Sequence, residues 1–297
     1  MVQFAAKIRE HVRQIVLRTR GQKIGMEITR LTGPWSDREA NPLTKSDFGD
    51  MMKPFIFVDL FHIDGSSFKG LALHPHSGLA TLTYVLEGEV TFEDTTGATG
   101  ILPQGSVEWF DAGCGAWHGG GIGDSPRTRG YQIWIALPPE QELGAVESVY
   151  LPSEEVPQAG PVTVLMGSYG TACSKLTPPS PLNYLALHLN AGRRWRYQPP
   201  VGHTVCWIAL ASGSMLVPEN VEAGELVGFE PSNEAIEFHA LTDTEFVLGS
   251  AVKHPYELSL GRYSVHTNPD ALRKGEARID EIKARLISEG RLPAPAK

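Results

Sequence analysis

Apolar positions in this 297-residue chain fall in short runs broken by 31 glycines and 22 prolines. Runs of that length, bounded by turn residues, read as brief strands, and together they predict an all-β architecture. Strands are expected at 55–60, 71–73, 80–86, 89–92, 106–110 and 131–136, then at 162–166, 183–189, 204–211, 214–217, 226–229 and 245–251. Two β-barrels follow from this grouping. A polar, arginine-rich extension occupies 1–50, with a short helix expected at 4–16 and irregular chain at 33–42. The first barrel takes 51–140, a Glu- and Pro-containing linker 141–161, and the second barrel 162–266. The run 84–90 has a faint echo at 208–215, with Gly88 answering to Gly213 and Gly105 to Gly224, which argues for duplication.

The pattern changes period at the end, where 267–297 is expected to hold a closing helix and tail. Asn268 suits an N-cap, Pro269 the first helical position, and Asp270 the positive end of the helix dipole. Leu272, Ile279, Ile282 and Leu286 then recur near helical spacing up to Gly290. Such an apolar side is expected to pack on the helix's own domain, with a barrel mouth or another subunit as the alternatives.

Composition narrows the function classes. A hydrophobic fraction of 41% supplies two cores, and a net charge of -8 lacks the basic balance that draws phosphate backbones. No direct nucleic-acid partner is expected. Three widely spaced cysteines, Cys114, Cys173 and Cys206, do not form a disulfide framework and fit a reducing compartment, the cytoplasm. No apolar stretch reaches membrane-spanning length, so no membrane is expected either. Phosphate-binding, serine-hydrolase and C-x-x-C motifs are absent from the sequence.

Chemistry concentrates in the first barrel. His74-Pro75-His76 sets two imidazoles two residues apart, which in extended backbone puts both on one face. His118, after the glycine turn 113–115, is the third candidate to meet them. Glu108 is a candidate ligand or general base, although an outward, solvated carboxylate is the favoured reading. Cys114 is either a thiol near the site or an inert small hydrophobe. Trp109 and Trp117 either wall an aromatic substrate or fill the barrel. His203 and His239 lack a histidine partner at metal-ligand spacing, and His188, His254 and His266 read as surface or core residues.

The stretch His74-Pro75-His76-Ser77-Gly78, the run 83–90, and then Gly105, Trp109, Ala112-Gly113 and His118 resemble the N-terminal signature of the pirin family, best between 53 and 137. The resemblance implies a bicupin, two cupin-type barrels, whose N-terminal barrel holds one metal, usually iron, on three histidines and a glutamate. Carried over, the histidine ligands are His74, His76 and His118, while the glutamate position is Gly120 and a second position often acidic in relatives is Ala80. One divalent metal is therefore expected, Fe(II) with zinc as the alternative, on a site that lacks its carboxylate. Some pirins oxidise flavonols such as quercetin and others act as transcriptional cofactors. Two activities stay open: a quercetinase-like dioxygenase taking a small phenolic or enolic substrate, and a non-enzymatic binding or regulatory protein with a protein partner and a degenerate metal site.

Overall fold

A computed structural model describes residues 12–24, 28–31, 47–64 and 70–293. It contains two units of the same design, each a seven-stranded sheet paired with a four-stranded one, as two cupin-type barrels require. In the first, the large sheet holds strands Phe55–Asp64, Leu79–Glu87, Val107–Asp111 and Arg127–Ala136, and the small one runs Leu71–His76, Ala116–Ile122, Glu89–Asp94, Thr99–Pro103. The second repeats that order: Val205–Ser212, Glu225–Phe229 and Thr244–Ala251 lie in its large sheet, and Arg194–Tyr197, Ile236–Ala240, Ser214–Val217, Glu219–Glu222 form its small one. All strand pairings between these elements are antiparallel.

The two large sheets pack back to back, and this explains why their strands read as unbroken apolar runs. Along Val205–Ser212, Val205, Trp207 and Ala209 belong to the core shared with Val58, Leu82, Trp109 and Tyr131 of the first unit. Cys206, Ile208 and Leu210 instead fill the interior of the second barrel with Trp195, Tyr197 and Phe238. Alternation is present, but both faces are dry. Tyr131 secures the junction by donating its hydroxyl to the Ala209 carbonyl at 2.8 Å.

The four glycines of the sequence echo occupy matching turns. Gly88 and Gly213 both have φ near 78° (77° and 78°), and a Cβ on either would lie 2.2 Å from a carbonyl oxygen, of Arg127 and Asp243 respectively. Gly105 and Gly224 also sit at positive φ, 84° and 80°. Only glycine tolerates that conformation at no steric cost, so the repeat survives where the backbone demands it.

The N-terminal lead-in departs from expectation. Of the helix expected at 4–16, residues 1–11 lie outside the described residues, and Ile15–Arg20 is a strand on the edge of the second barrel, paired with Glu225–Phe229. Arg18 and Arg20 stay at the surface and pair with Glu219, Glu222 and Glu225, an edge strand guarded by charge. The irregular chain expected at 33–42 lies outside the described residues. Within 141–161, Glu147–Leu151 adds a strand to the edge of the first barrel, against Val107–Asp111.

The closing helix spans Pro269–Ser288, and its N-cap Asn268 accepts the Ala271 amide at 2.9 Å. Ala271, Gly275, Ile279, Ile282 and Leu286 form its buried face. That face lies on the first barrel, where Trp117 packs among Ile279, Ile282 and Leu286 and donates its indole N–H to the Ile279 carbonyl at 3.2 Å. Burying each of the three aliphatic side chains contributes about 1.5–3 kcal/mol. The helix thus follows the second barrel in sequence and seats on the first. No helix among the described residues is long and apolar enough to cross a membrane.

Candidate metal centre

Antiparallel register assembles the site. Leu71–His76 and Ala116–Ile122 pair so that His118 stands opposite His74 and Ala116 opposite His76, which places all three imidazoles on the inner face. One nitrogen from each lies within 4.8 Å of the others, and ring centroids are 4.6–5.1 Å apart. His76 is fully buried and His118 nearly so.

Hydrogen bonding selects the tautomer. His74 Nδ1–H donates to the Ala72 carbonyl at 3.0 Å, and His76 Nδ1–H donates to the Tyr263 carbonyl at 3.1 Å. A carbonyl only accepts, so Nε2 of both rings keeps its lone pair. His118 Nδ1 faces Glu108 Oε1 at 3.5 Å. The Nε2 atoms of His76 and His118 are buried without any hydrogen-bond partner. Unpartnered ring nitrogens in a dry interior cost free energy unless something fills them, and three imidazole nitrogens meeting at one point fit a divalent ion.

Electrostatics agree with that fit. Burial first, and the neighbouring His118 second, push the His74 pKa down to about 3 and that of His76 well below the ordinary range. Both rings are thus neutral, as metal ligation requires.

The structure also says why no carboxylate follows His118. A Cβ on Gly120 would lie 2.1 Å from the Thr91 carbonyl oxygen, so the backbone there leaves no room for a side chain. Glu108 lies inside the barrel, 6% exposed, contrary to the outward placement favoured from the sequence. It backs His118 rather than joining the three-histidine group. Val107–Asp111 is buried along nearly its whole length, so alternation of polar and apolar residues carried no signal of direction.

The walls of the site come from residues other than Trp109 and Trp117. Trp109 belongs to the core between the barrels and Trp117 faces the closing helix, so neither reaches the histidines. Phe110 stacks on His118 at 4.4 Å, Trp134 meets His76 edge-on at 4.8 Å, and the Tyr263 ring stands about 6.1–6.2 Å from His76 and His74. Tyr263 comes from the end of the chain, and no local motif marked it. Cys114 is half-buried and outside the histidine group, with its amide bonded to the Gly144 carbonyl. His203 is buried in the second barrel against Ser250 Oγ at 3.1 Å.

Two sheets per barrel, two barrels back to back and a three-histidine pocket in the first define a bicupin with a candidate metal site. The Pirin family model matches residues 37–135. A Pseudomonas aeruginosa protein named "Putative quercetin 2,3-dioxygenase" is 30% identical over 208 residues, covering 65% of this chain and 68% of its own. Human pirin is 28% identical over 176 residues, 58% of this chain and 60% of its own. Among solved structures, a quercetin 2,3-dioxygenase from Acinetobacter baumannii aligns with a TM-score of 0.80 at 20% identity, over 92% of this chain and 98% of that one. A bacterial pirin from Escherichia coli in complex with nickel(II) aligns at 0.61 and 19% identity, over 80% and 99%. The protein belongs to the pirin family.

Proposed function

We propose that this protein is a metal-dependent dioxygenase of the pirin type, acting on a flavonol-like or other small phenolic or enolic substrate, with His74, His76 and His118 as the metal ligands. The observation that carries the reading is the pair of buried, unpartnered Nε2 atoms of His76 and His118 beside His74, with the Nδ1 atoms of His74 and His76 bonded to carbonyls and that of His118 facing Glu108. A divalent ion there, Fe(II) or alternatively zinc, would supply Lewis acidity and an open position for a substrate oxygen. Three neutral ligands leave its charge uncancelled, which favours a deprotonated phenol or enol as the incoming group. Glu108, whose carboxylate faces His118 Nδ1 at 3.5 Å, would favour the orientation of that ring. Phe110, Trp134 and Tyr263 give an aromatic substrate apolar walls and exclude water. Similarity to proteins named for quercetin dioxygenation supports the substrate class.

A second reading, a binding or regulatory protein without turnover, is favoured by Gly120, because the site lacks the carboxylate that the family resemblance implies. The two separate on one experiment. Purified protein reconstituted with Fe(II) is expected to carry up to one metal per chain by elemental analysis and to consume quercetin with oxygen uptake. His118→Ala is expected to weaken metal binding by more than about a hundredfold, beyond what loss of an outer partner causes, and to abolish turnover. A metal-loaded wild type that leaves quercetin and oxygen untouched sinks the oxygenase reading and leaves the second.

A further inference from the structure

The end of the chain reaches the histidine site from outside its own barrel. After the second barrel, residues 259–266 run across the first as a strap, with Ser264 bridged to Ser77 and the Val265 amide bonded to the Ser77 carbonyl at 3.0 Å. Gly78 admits the strap: a Cβ there would lie 2.0 Å from the Val265 carbonyl oxygen. The strap's Tyr263 carbonyl is the acceptor that fixes the His76 ring.

What holds the strap is a buried chain of three side chains. Ser77 Oγ lies 3.0 Å from His266 Nε2, and His266 Nδ1 lies 3.3 Å from Glu142 Oε2. Exposures are 0%, 1% and 1%, so none of them meets solvent. Glu142 also accepts the Thr267 amide at 2.6 Å and the Thr267 hydroxyl at 2.8 Å. His266 Nε2 shares a hydrogen bond with the Ser77 hydroxyl, while its Nδ1 faces the Glu142 carboxylate in a close contact without hydrogen-bond geometry. The sequence Ser–His–Glu matches a nucleophile relay, but the helix seals it. A Cβ on Gly275 would lie 2.4 Å from both Ser77 Oγ and His266 Nε2, leaving no space for a substrate.

We infer that this strap is the outer shell of the histidine site, and that Ser77, His266 and Glu142 are positioning residues that set His76 through the Tyr263 carbonyl. The inference rests on the metal reading of that site and adds its control. Ser77 follows His76 directly, so the clasp grips the strand that carries two of the three histidines. Glu142 grips it from the segment that leaves the first barrel, and Thr267 continues into the closing helix. The orientation of a ligand in one barrel is thereby tied to the segment that ends the other.

The test uses the full chain and cobalt(II), whose visible bands report ligand geometry, with 15N NMR of the imidazoles in metal-free protein. In the wild type His76 is expected as the Nδ1–H tautomer and cobalt binds with a single spectrum. His266→Ala is expected to mix the His76 tautomers, alter the cobalt bands and weaken cobalt binding about tenfold or more, the usual cost of losing an outer partner. Ser77→Ala should move all three readouts the same way, and His266→Gln, which can still accept from Ser77, should restore part of each. Phe238→Ala removes packing inside the second barrel, away from the strap and the ligand strands, and should leave them at wild-type values. Unchanged tautomer and cobalt affinity in His266→Ala, or an equal loss in Phe238→Ala, overturns the inference while the metal reading stands. A wild type that binds no cobalt overturns both.

Discussion

The two barrels share one strand plan and fill the same positions with opposite chemistry. In the first, the paired strands Leu71–His76 and Ala116–Ile122 bring His74 opposite His118, with His76 two residues on. In the second, Arg194–Tyr197 and Ile236–Ala240 bring Trp195 opposite Phe238, with Tyr197 two residues on. The three imidazole positions are thus occupied by three large rings, with Trp195 and Phe238 5.2 Å apart and Trp195 and Tyr197 stacked at 5.8 Å. These rings pack on one another, their polar atoms meet Tyr169, Asn183 and Ser250, and the interior of the second barrel closes around them. Imidazoles cannot do this, because each brings a lone pair that packing leaves unmet. The same fold therefore yields a filled core where the residues are self-sufficient, and a site where they are not.

The outer faces of these strand pairs differ as well. In the first barrel Trp117 is covered by the closing helix. In the second, Arg194, Arg196, Glu237 and His239 line an open groove of about 820 Å3. The first barrel's ligand strands are thus clamped from behind, while the second barrel's counterparts have solvent there.

If the rings of the second barrel are core and the imidazoles of the first are site, truncating each has crossed consequences. The largest effect belongs to Phe238→Ala, which empties a 1% exposed aromatic position and is expected to cost about 3–5 kcal/mol in chemical denaturation. Metal uptake should remain at the wild-type level. A variant that keeps its stability, or loses its metal, would erase the division of labour between the barrels.

How much of this was legible in the sequence depended on whether a residue's surroundings were local. The strand runs, the glycine echo and the H-x-H pair follow from period-2 geometry and from turns that only glycine accepts, so they could be read directly. His118 was reachable through its glycine turn and the family resemblance. Ile15 and Val16, assigned by local pattern to the end of a helix, instead begin the strand Ile15–Arg20, whose Arg18 and Arg20 owe their place to Glu219, Glu222 and Glu225, about 200 residues away in sequence and invisible in a local window. Trp109 and Trp117 lie near the histidines in sequence but point to the interbarrel core and the helix. Glu142 and His266 carry no spacing signal at all, since their partners come from three separate segments.

A smaller effect tests whether the first barrel replaces its lost carboxylate from behind. Glu108→Gln keeps the shape and an acceptor oxygen but removes the charge facing His118 Nδ1, and metal affinity is expected to fall about tenfold, or about 1.4 kcal/mol. Calorimetric titration with cobalt(II) measures it. An unchanged affinity would mean that Glu108 only fills space.

The smallest effect distinguishes the barrels by proton linkage in metal-free protein. His76 is buried, and desolvation followed by the neighbouring His118 and His74 holds its folded pKa well below the unfolded value near 6.5. As pH falls through 6.5 the unfolded chain takes up a proton that the folded chain refuses, so unfolding becomes easier. The stability tied to this ring is therefore fully present above the unfolded pKa, and it drains away on acidification until the folded pKa is reached. Between pH 7 and pH 6 one such histidine contributes a loss on the order of 0.7 kcal/mol. His76→Phe gives the first barrel a non-titrating ring where the second has Tyr197, and should flatten the pH dependence of the urea midpoint by that amount. Tyr197→Phe, at the matching position, should leave the slope of the curve unaltered. Equal slopes in His76→Phe and wild type would show that His76 takes up its proton within the fold, which is incompatible with a dry, neutral ligand set.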